Sequence, residues 1–144
     1  MSTEDNKNVV RRFYEEVVNQ GRPEVIDEVM DVSFHDHGEP PFGGHQGLEE
    51  VRQGVIGSAT VLPGYHVEIT DIVGEGDMVA VRGQMRGTHQ GEIFGIPGTG
   101  KQLRWHGIAM YRIANGKIAE HWFNADELSI VQQMRGVADE VVWE

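Results

Sequence analysis

The apolar residues of this chain change their period once, at Pro63-Gly64, and that switch constrains the fold more than any other feature. Before it, Val9, Val10, Phe13, Tyr14, Val17 and Val18 recur at the i, i+4 spacing of an amphipathic helix from Ser2 to Asn19, with Ser or Thr caps at its start. Gly21 stops that helix, and Pro23 opens a shorter one whose Val25, Ile26, Val29 and Met30 fall on one face. A β-like segment, Val32 to His37, leads into Gly38-Glu39-Pro40-Pro41-Phe42-Gly43-Gly44, which only a loop accommodates; Leu48, Val51, Val55 and Ala59 then mark a third helix. After the switch the apolar residues alternate and turn signals separate them. Strands are expected at His66–Val73 and Met78–Thr88, with a Gly/Pro-rich excursion from Gly91 to Gly100. A final hairpin, Leu103–Ile113 with Lys117–Asn124, precedes a short helix, Glu127–Met134, and Val137–Glu144 carries no assignable pattern. Helices followed by antiparallel strands predict one α+β domain over residues 1–144, its helices on one face of a curved sheet that closes partway into a cone around a cavity.

What such a cavity can hold is limited by composition. The 144 residues include no cysteine, which removes disulfides, thiolate nucleophiles, Cys-based zinc sites and iron–sulfur ligation together. Twelve basic against twenty-three acidic residues leave a formal charge of −11, with no basic run, which disfavours nucleic acid and anionic lipid surfaces as partners. The opening Met1-Ser2-Thr3-Glu4-Asp5-Asn6 lacks the features of a secretory signal, and no apolar stretch approaches the roughly 20 residues that span a bilayer, so a cytoplasmic protein without membrane contact is expected. Chemistry falls to carboxylates, histidines, hydroxyls and amides.

The last hairpin decides which of these share a face. A two-residue type I′ turn at Asn115-Gly116 pairs Ala114 with Lys117 and puts His106 on the opposite side from Glu120. A type I turn at Ala114-Asn115, with Gly116 as a left-handed bulge, pairs Ile113 with Lys117 and sets His106 opposite Asn124. The bulged turn is favoured because it gathers His106, Ile108, Met110 and Arg112 with Glu120, Trp122 and Asn124 on one face, with Asp126 just beyond, diagonal to His106 at roughly 7 Å. Glu120 in an apolar pocket is then a candidate general base and His106 a group that holds or polarises an oxygen. The competing roles are a Glu120 ion pair with Arg112 or Arg82 and an Asp126 helix cap.

His35 and His37 form an H-x-H whose rings project to one face while Asp36 projects to the other. That spacing can bind a metal, and a metal protein is one alternative, with Glu39, His45 or His106 as the further ligand it would need; without a third ligand at fixed spacing the pair reads as hydrogen-bonded or pocket residues, and no metal is assigned. His45, His66, His89 and His121 carry no pattern of their own; His66 and His121 are expected exposed or at an interface. On Met78–Thr88, Arg82 and Gln84 share a face and are candidates to bind a substrate oxygen, against a role on a solvated face. Tyr14 is a candidate to turn its phenol into the cavity, against simple core packing.

Several of these residues fall in motifs of a known family. Gly87-Thr88-His89-Gln90-Gly91 with Glu92 to Lys101, Tyr111-Arg112, Gly116-Lys117-Ile118-Ala119-Glu120-His121-Trp122 with Asp126, and the early His35-Asp36 together resemble the signature of the SnoaL-like polyketide cyclases, or ester cyclases. The resemblance implies a nuclear transport factor 2-like cone and an intramolecular aldol-type ring closure of a small hydrophobic carbonyl compound, without metal or organic cofactor. It implies Glu120 or Asp126 as the acid that removes the proton and His106 as the group that orients it or binds the substrate oxygen; the reading of the residues adds a substrate pocket of His35, His37, Tyr14, Arg82, Trp122 and Asn124. Leu62-Pro63-Gly64-Tyr65 and Gly98 depart from the family's usual loop residues. The alternatives are an epoxide hydrolase or dehydratase, in which Arg82 or Arg112 would reach Glu120 or Asp126, and a non-catalytic ligand-binding protein. Finally, a sheet face bearing Trp105, Ala109, Tyr111 and Phe123 is expected to face away from the cavity and to be covered in a homodimer.

Overall fold

Ser2 caps the first helix, its hydroxyl accepting from the Asp5 N–H while the Asp5 carboxylate accepts from the Ser2 N–H. The computed structural model describes residues 2–137, so the unassigned C-terminal stretch lies outside the described residues from position 138 onward. The first helix, α1 (Thr3–Arg12), continues into a wider π-helical segment, Phe13–Asn19. A short 3-10 turn, Pro23–Val25, leads into α2 (Ile26–Val29) and β1 (Met30–Asp36). The remaining elements are α3 (Leu48–Val61), β2 (His66–Glu75), β3 (Met78–Thr88), β4 (Gln102–Ala114), β5 (Lys117–Ala125) and α4 (Glu127–Met134). Among the described residues no helix is long and apolar enough to cross a membrane.

The five strands form one sheet in the order β1-β5-β4-β3-β2. The sheet is mixed rather than antiparallel throughout: β2 to β5 pair antiparallel, but β1 runs parallel to β5, with Asp36 beside His121. A pairing between segments so far apart in the chain has no turn to announce its direction. The edges β1 and β2 are not joined, so the sheet stays open.

The last hairpin combines the two geometries expected for it. Asn115 and Gly116 both lie at positive φ, 53° and 76°, and Ala114 pairs with Lys117 across them, which is the two-residue turn and overturns the favoured bulged one. The bulge occurs two residues further on: the register slips between Ile113↔Ile118 and Arg112↔Glu120, and the consecutive Ile118 and Ala119 are both buried. That slip restores the face sharing of the favoured register, but the residue opposite Asn124 is Ile108, and the Asp126 N–H bonds directly to the His106 carbonyl at 3.0 Å.

Which face turns inward is the larger correction. Val79, Val81 and Met85 of β3 and Leu103, Trp105, Ala109, Tyr111 and Ile113 of β4 are all buried, whereas Ile108 and Met110 are 54% and 42% exposed. The helices therefore cover the aromatic face expected to lie outside, because burying those large rings removes far more apolar surface from water than the polar face offers. Val10, Tyr14, Val17, Ile26 and Val29 complete the core from the helical side.

Candidate active site

Between the concave sheet face and the helices lies a cavity of about 410 Å³, with walls that include Phe13, Tyr14, Phe34, Phe42, Val55, Tyr65, Met85, Tyr111, His121 and Phe123. The π-helical segment carries Phe13, Tyr14 and Val18 into its wall, and α3 carries Val51, Val55 and Ser58. Its lining is chiefly apolar; of its polar groups, Asp36 and His121 meet where β1 pairs with β5, with His45 beside them.

At the centre of that cluster is Asp36, the last residue of β1, only 4% exposed. One carboxylate oxygen, Oδ1, accepts from His121 Nδ1 at 2.9 Å and from the Gly38 N–H at 2.8 Å. The other, Oδ2, accepts from the His45 N–H at 3.2 Å and lies 3.4 Å from His45 Nδ1. Burial by itself would raise the Asp36 pKa, but the hydrogen bonds from His121 and His45, the charge of His121 and the Gly38 N–H outweigh it and hold the carboxyl far below its ordinary range. An ionised Asp36 accepts a hydrogen bond from His121 Nδ1–H, which fixes the tautomer that in the neutral ring carries its lone pair on Nε2. Among the described residues no hydrogen bond uses that Nε2, and His121 lines the cavity.

His45 is held differently. An added Cβ at Gly54, in the middle of α3, would stand 2.6 Å from His45 Nε2, so the ring abuts the helix through the space a side chain would fill. This accounts for a glycine at a helix position where it costs roughly 1 kcal/mol against alanine. It also turns His45 Nε2 toward the helix. Deeper in the cavity, the Tyr111 hydroxyl donates to that of Tyr14 at 2.5 Å, both side chains being buried. Burial raises the Tyr14 phenol to about 12, against the lowering effect of the Tyr111 bond, and burial likewise pushes up Tyr65 and Tyr111.

The rim includes the Gly/Pro-rich excursion, which contributes Glu92 and Ile93. The fully buried His89, between β3 and this excursion, holds it in place: Nε2 donates to the Ile96 carbonyl at 3.2 Å, and Nδ1 accepts from the Thr99 N–H at 3.3 Å and lies 2.9 Å from its hydroxyl. A carbonyl only accepts and an amide N–H only donates, so His89 is the neutral Nε2–H tautomer and a structural clamp.

Of the residues singled out by sequence, the cavity wall includes Tyr14 and none of the others. Glu120, on the outer sheet face, pairs with Arg112 Nε at 2.5 Å and with His37 Nε2 at 3.2 Å; these two bonds, led by that to Arg112, lower its pKa against burial. His37 stacks on Trp122 with centroids 4.8 Å apart and meets His35 edge-on at 4.3 Å. Arg82 pairs with Asp71 at 2.7 Å on the same outer face, Asn124 is exposed, and His106 is half-buried opposite Gln84. Asp126 caps α4, accepting from the Ser129 N–H at 3.2 Å. Among the described residues no group of three or more His, Asp or Glu side chains is arranged to hold a metal ion.

Sequence reasoning passed over Asp36, His45, His121, Tyr65 and Tyr111. Two signals pointed toward them. Asp36 and His121 both lie inside the motifs that carry the family resemblance, and Asp36 faces opposite to His35 and His37, as alternation requires.

Comparison with known proteins agrees with this architecture. A family model described as SnoaL-like polyketide cyclase matches residues 8–134. Among curated protein sequences none matches. Of solved structures, TsrD from Streptomyces laurentii superposes with a TM-score of 0.82 at 24% identity, over 93% of this chain and 97% of that one, a likeness of fold. A candidate polyketide cyclase from Acidithiobacillus ferrooxidans gives 0.78 at 27% identity, over 96% and 100% of the two chains. IdmH from Streptomyces antibioticus, also described as a candidate polyketide cyclase, gives 0.77 at 27%, over 90% and 98%.

Proposed function

The chain belongs to the SnoaL-like polyketide cyclase family, and from that premise we propose that it closes a ring in a small, largely apolar carbonyl compound, with His121 as the acid–base group and Asp36 as its positioning residue. The observation that carries this reading is the 2.9 Å bond between buried Asp36 and His121 Nδ1 at the wall of an apolar cavity. In the proposed step His121 Nε2 takes a proton from the carbon next to a carbonyl, and the C–H electrons become an enolate. The enolate carbon attacks a second carbonyl carbon of the same molecule, forming the C–C bond while that C=O π pair moves to oxygen. The His121 imidazolium returns its proton to this oxygen, so the reaction closes without an external acid or oxidant. An ionised Asp36 stabilises the imidazolium while it exists and keeps the ring in the tautomer that accepts at Nε2.

This assignment replaces Glu120 and Asp126 as the candidate acids, since the first is committed to Arg112 and His37 on the outer face and the second to the N-terminus of α4. No arginine is among the described residues lining the cavity, so nothing favours the epoxide-opening alternative. A homodimer is retained in the proposal, with its interface moved to the outer sheet face, where exposed Ile108 and Met110 lie among Arg82, Arg112 and Glu120, a mixed-charge surface that a two-fold copy can complement.

The reading is tested by deuterium exchange at the acetyl methyl of 2-acetylnaphthalene, a planar aromatic ketone, followed by NMR. The native protein is expected to accelerate exchange over buffer, and His121→Gln to slow it at least about 100-fold. No acceleration, or a His121→Gln rate equal to the native one, overturns the assignment.

A further inference from the structure

The mechanism above uses a base and leaves open where the carbonyl oxygen sits while it gains charge. Two hydroxyls in the cavity wall are arranged for that task. Tyr111 and Tyr14 are 2% and 8% exposed, and the Tyr111 hydroxyl donates to the Tyr14 oxygen at 2.5 Å. Tyr14 therefore spends its oxygen as an acceptor, and among the described residues no hydrogen bond takes its own proton. A buried hydroxyl proton without a partner costs free energy, and the space beside it is the cavity that both tyrosines line. The ring geometry fixes the pair: Tyr14 and Tyr111 meet edge-on at 6.0 Å, and Phe13 packs edge-on against both at 5.5 and 6.3 Å. The base stands next to Tyr111, the His121 ring lying 5.0 Å from that of Tyr111.

We infer that Tyr14 and Tyr111 form a two-hydroxyl donor chain that binds the carbonyl oxygen of a planar apolar ketone and stabilises the enolate made from it, with Tyr14 touching that oxygen and Tyr111 acting through Tyr14. The inference rests on the reading of the cavity as a site of enolate chemistry and deepens it. A donor that itself accepts a hydrogen bond is polarised by it, so the Tyr111 bond strengthens the one Tyr14 gives. Burial in apolar walls keeps both phenols protonated, as donors, through the neutral range. The cavity beside the pair is chiefly apolar, and in such low-dielectric surroundings a fixed donor is worth most. A carbonyl oxygen and the carbon that loses its proton are two bonds apart, so donor and base must lie close, and Tyr111, which meets both the Tyr14 hydroxyl and the His121 ring, links the two.

The test compares 2-acetylnaphthalene with 2-isopropenylnaphthalene, in which a CH2 group replaces the carbonyl oxygen without changing the shape. In the native protein the ketone is expected to bind about tenfold more tightly than the alkene, and its carbonyl stretch in the infrared to fall below the value in an apolar solvent. Tyr14→Phe should abolish the preference and return the stretch to the apolar value; Tyr111→Phe should give intermediate values of both, and binding of the alkene should stay within twofold of native in each variant. A merely structural tyrosine pair would weaken both probes equally and leave the stretch where it was. If Tyr14→Phe does not fold, the native protein decides alone: no ketone binding, no ketone preference or an unshifted carbonyl overturns the inference. The base assignment fails separately. His121→Gln exchanging deuterium at the native rate while the carbonyl remains shifted would remove His121 and leave the tyrosine pair in place.

Discussion

Where the end of β1 meets β5 two carboxylate–histidine pairs form, one on each face of the sheet: Asp36 with His121, and Glu120 with His37, the residue just past β1. His35 lies beside Glu120 and Asp36 beside His121 in the parallel ladder. On the inner face Asp36 and His121 are 2.9 Å apart, with the carboxylate almost wholly buried. On the outer face Glu120 and His37 are 3.2 Å apart, and Glu120 also has Arg112. Chemically the pairs are alike; their surroundings separate them. Solvent and the arginine can satisfy Glu120 whether or not the histidine is there, since Glu120 is partly exposed and bonded to Arg112. Asp36 depends on its protein donors, so its ionisation, the His121 tautomer and the local packing are one coupled arrangement.

The comparison breaks most visibly in catalysis. Asp36→Asn should lower the deuterium exchange rate about 1000-fold, because an amide no longer enforces the Nε2-accepting tautomer, whereas Glu120→Gln should stay within twofold of native; equal losses would erase the distinction between the faces. Stability comes next. Asp36→Ala leaves the His121 ring and two backbone N–H groups without their acceptor and should cost about 3 kcal/mol in denaturant unfolding, while Glu120→Ala should leave the midpoint nearly unchanged.

The pH dependence sharpens the same contrast. A carboxyl held below its ordinary 3.8 in the fold stabilises it fully above that value, and the contribution fades as pH falls below 3.8 toward the folded value. Acid unfolding should accordingly be less steep in Asp36→Asn than in the native protein. At the other extreme, a Tyr14 phenol raised from 10.0 to about 12 stabilises the fold below pH 10 and ceases to do so as pH rises toward 12. Alkaline unfolding in that window should shift to lower stability loss in Tyr14→Phe, as read by circular dichroism at stepped pH. The smallest effect belongs to the outer face: Met110→Glu should halve the sedimenting mass without changing the exchange rate per chain, and a native protein that already sediments as a monomer would remove the dimer from the proposal.

Much of the architecture was legible locally. The Ser2 cap, Pro23 at the start of its short helix, the α4 boundaries and the two-way alternation of β3 and β4 each follow from a few adjacent residues. Alternation, however, defines two faces without saying which turns inward. His106, Glu120 and Trp122 read as a polar cluster whether they line a cavity or meet water, and the choice is made by the summed apolar area of Leu103, Trp105, Tyr111 and their neighbours against the helices. Tyr14 was legible because its helix face was. Asp36 and His121 were not, since each is unremarkable in its own strand and they meet only through a pairing that spans the chain. The hairpin turn shows the same limit on a smaller scale: Asn115-Gly116 dictates a two-residue turn, but the bulge at Ile118 and Ala119, which resets the face of everything after it, is imposed by burial on both sides of the strand.

That chain-spanning pair has a consequence for how the protein comes to life. Asp36 and His121 are separated by 85 positions and sit on the two strands whose pairing closes the longest loop in the sheet. Contacts of such separation are slow to form, and no helix or hairpin on its own carries both partners. The proposed acid–base pair would thus serve as a seal on folding, complete only when the first strand has found the last.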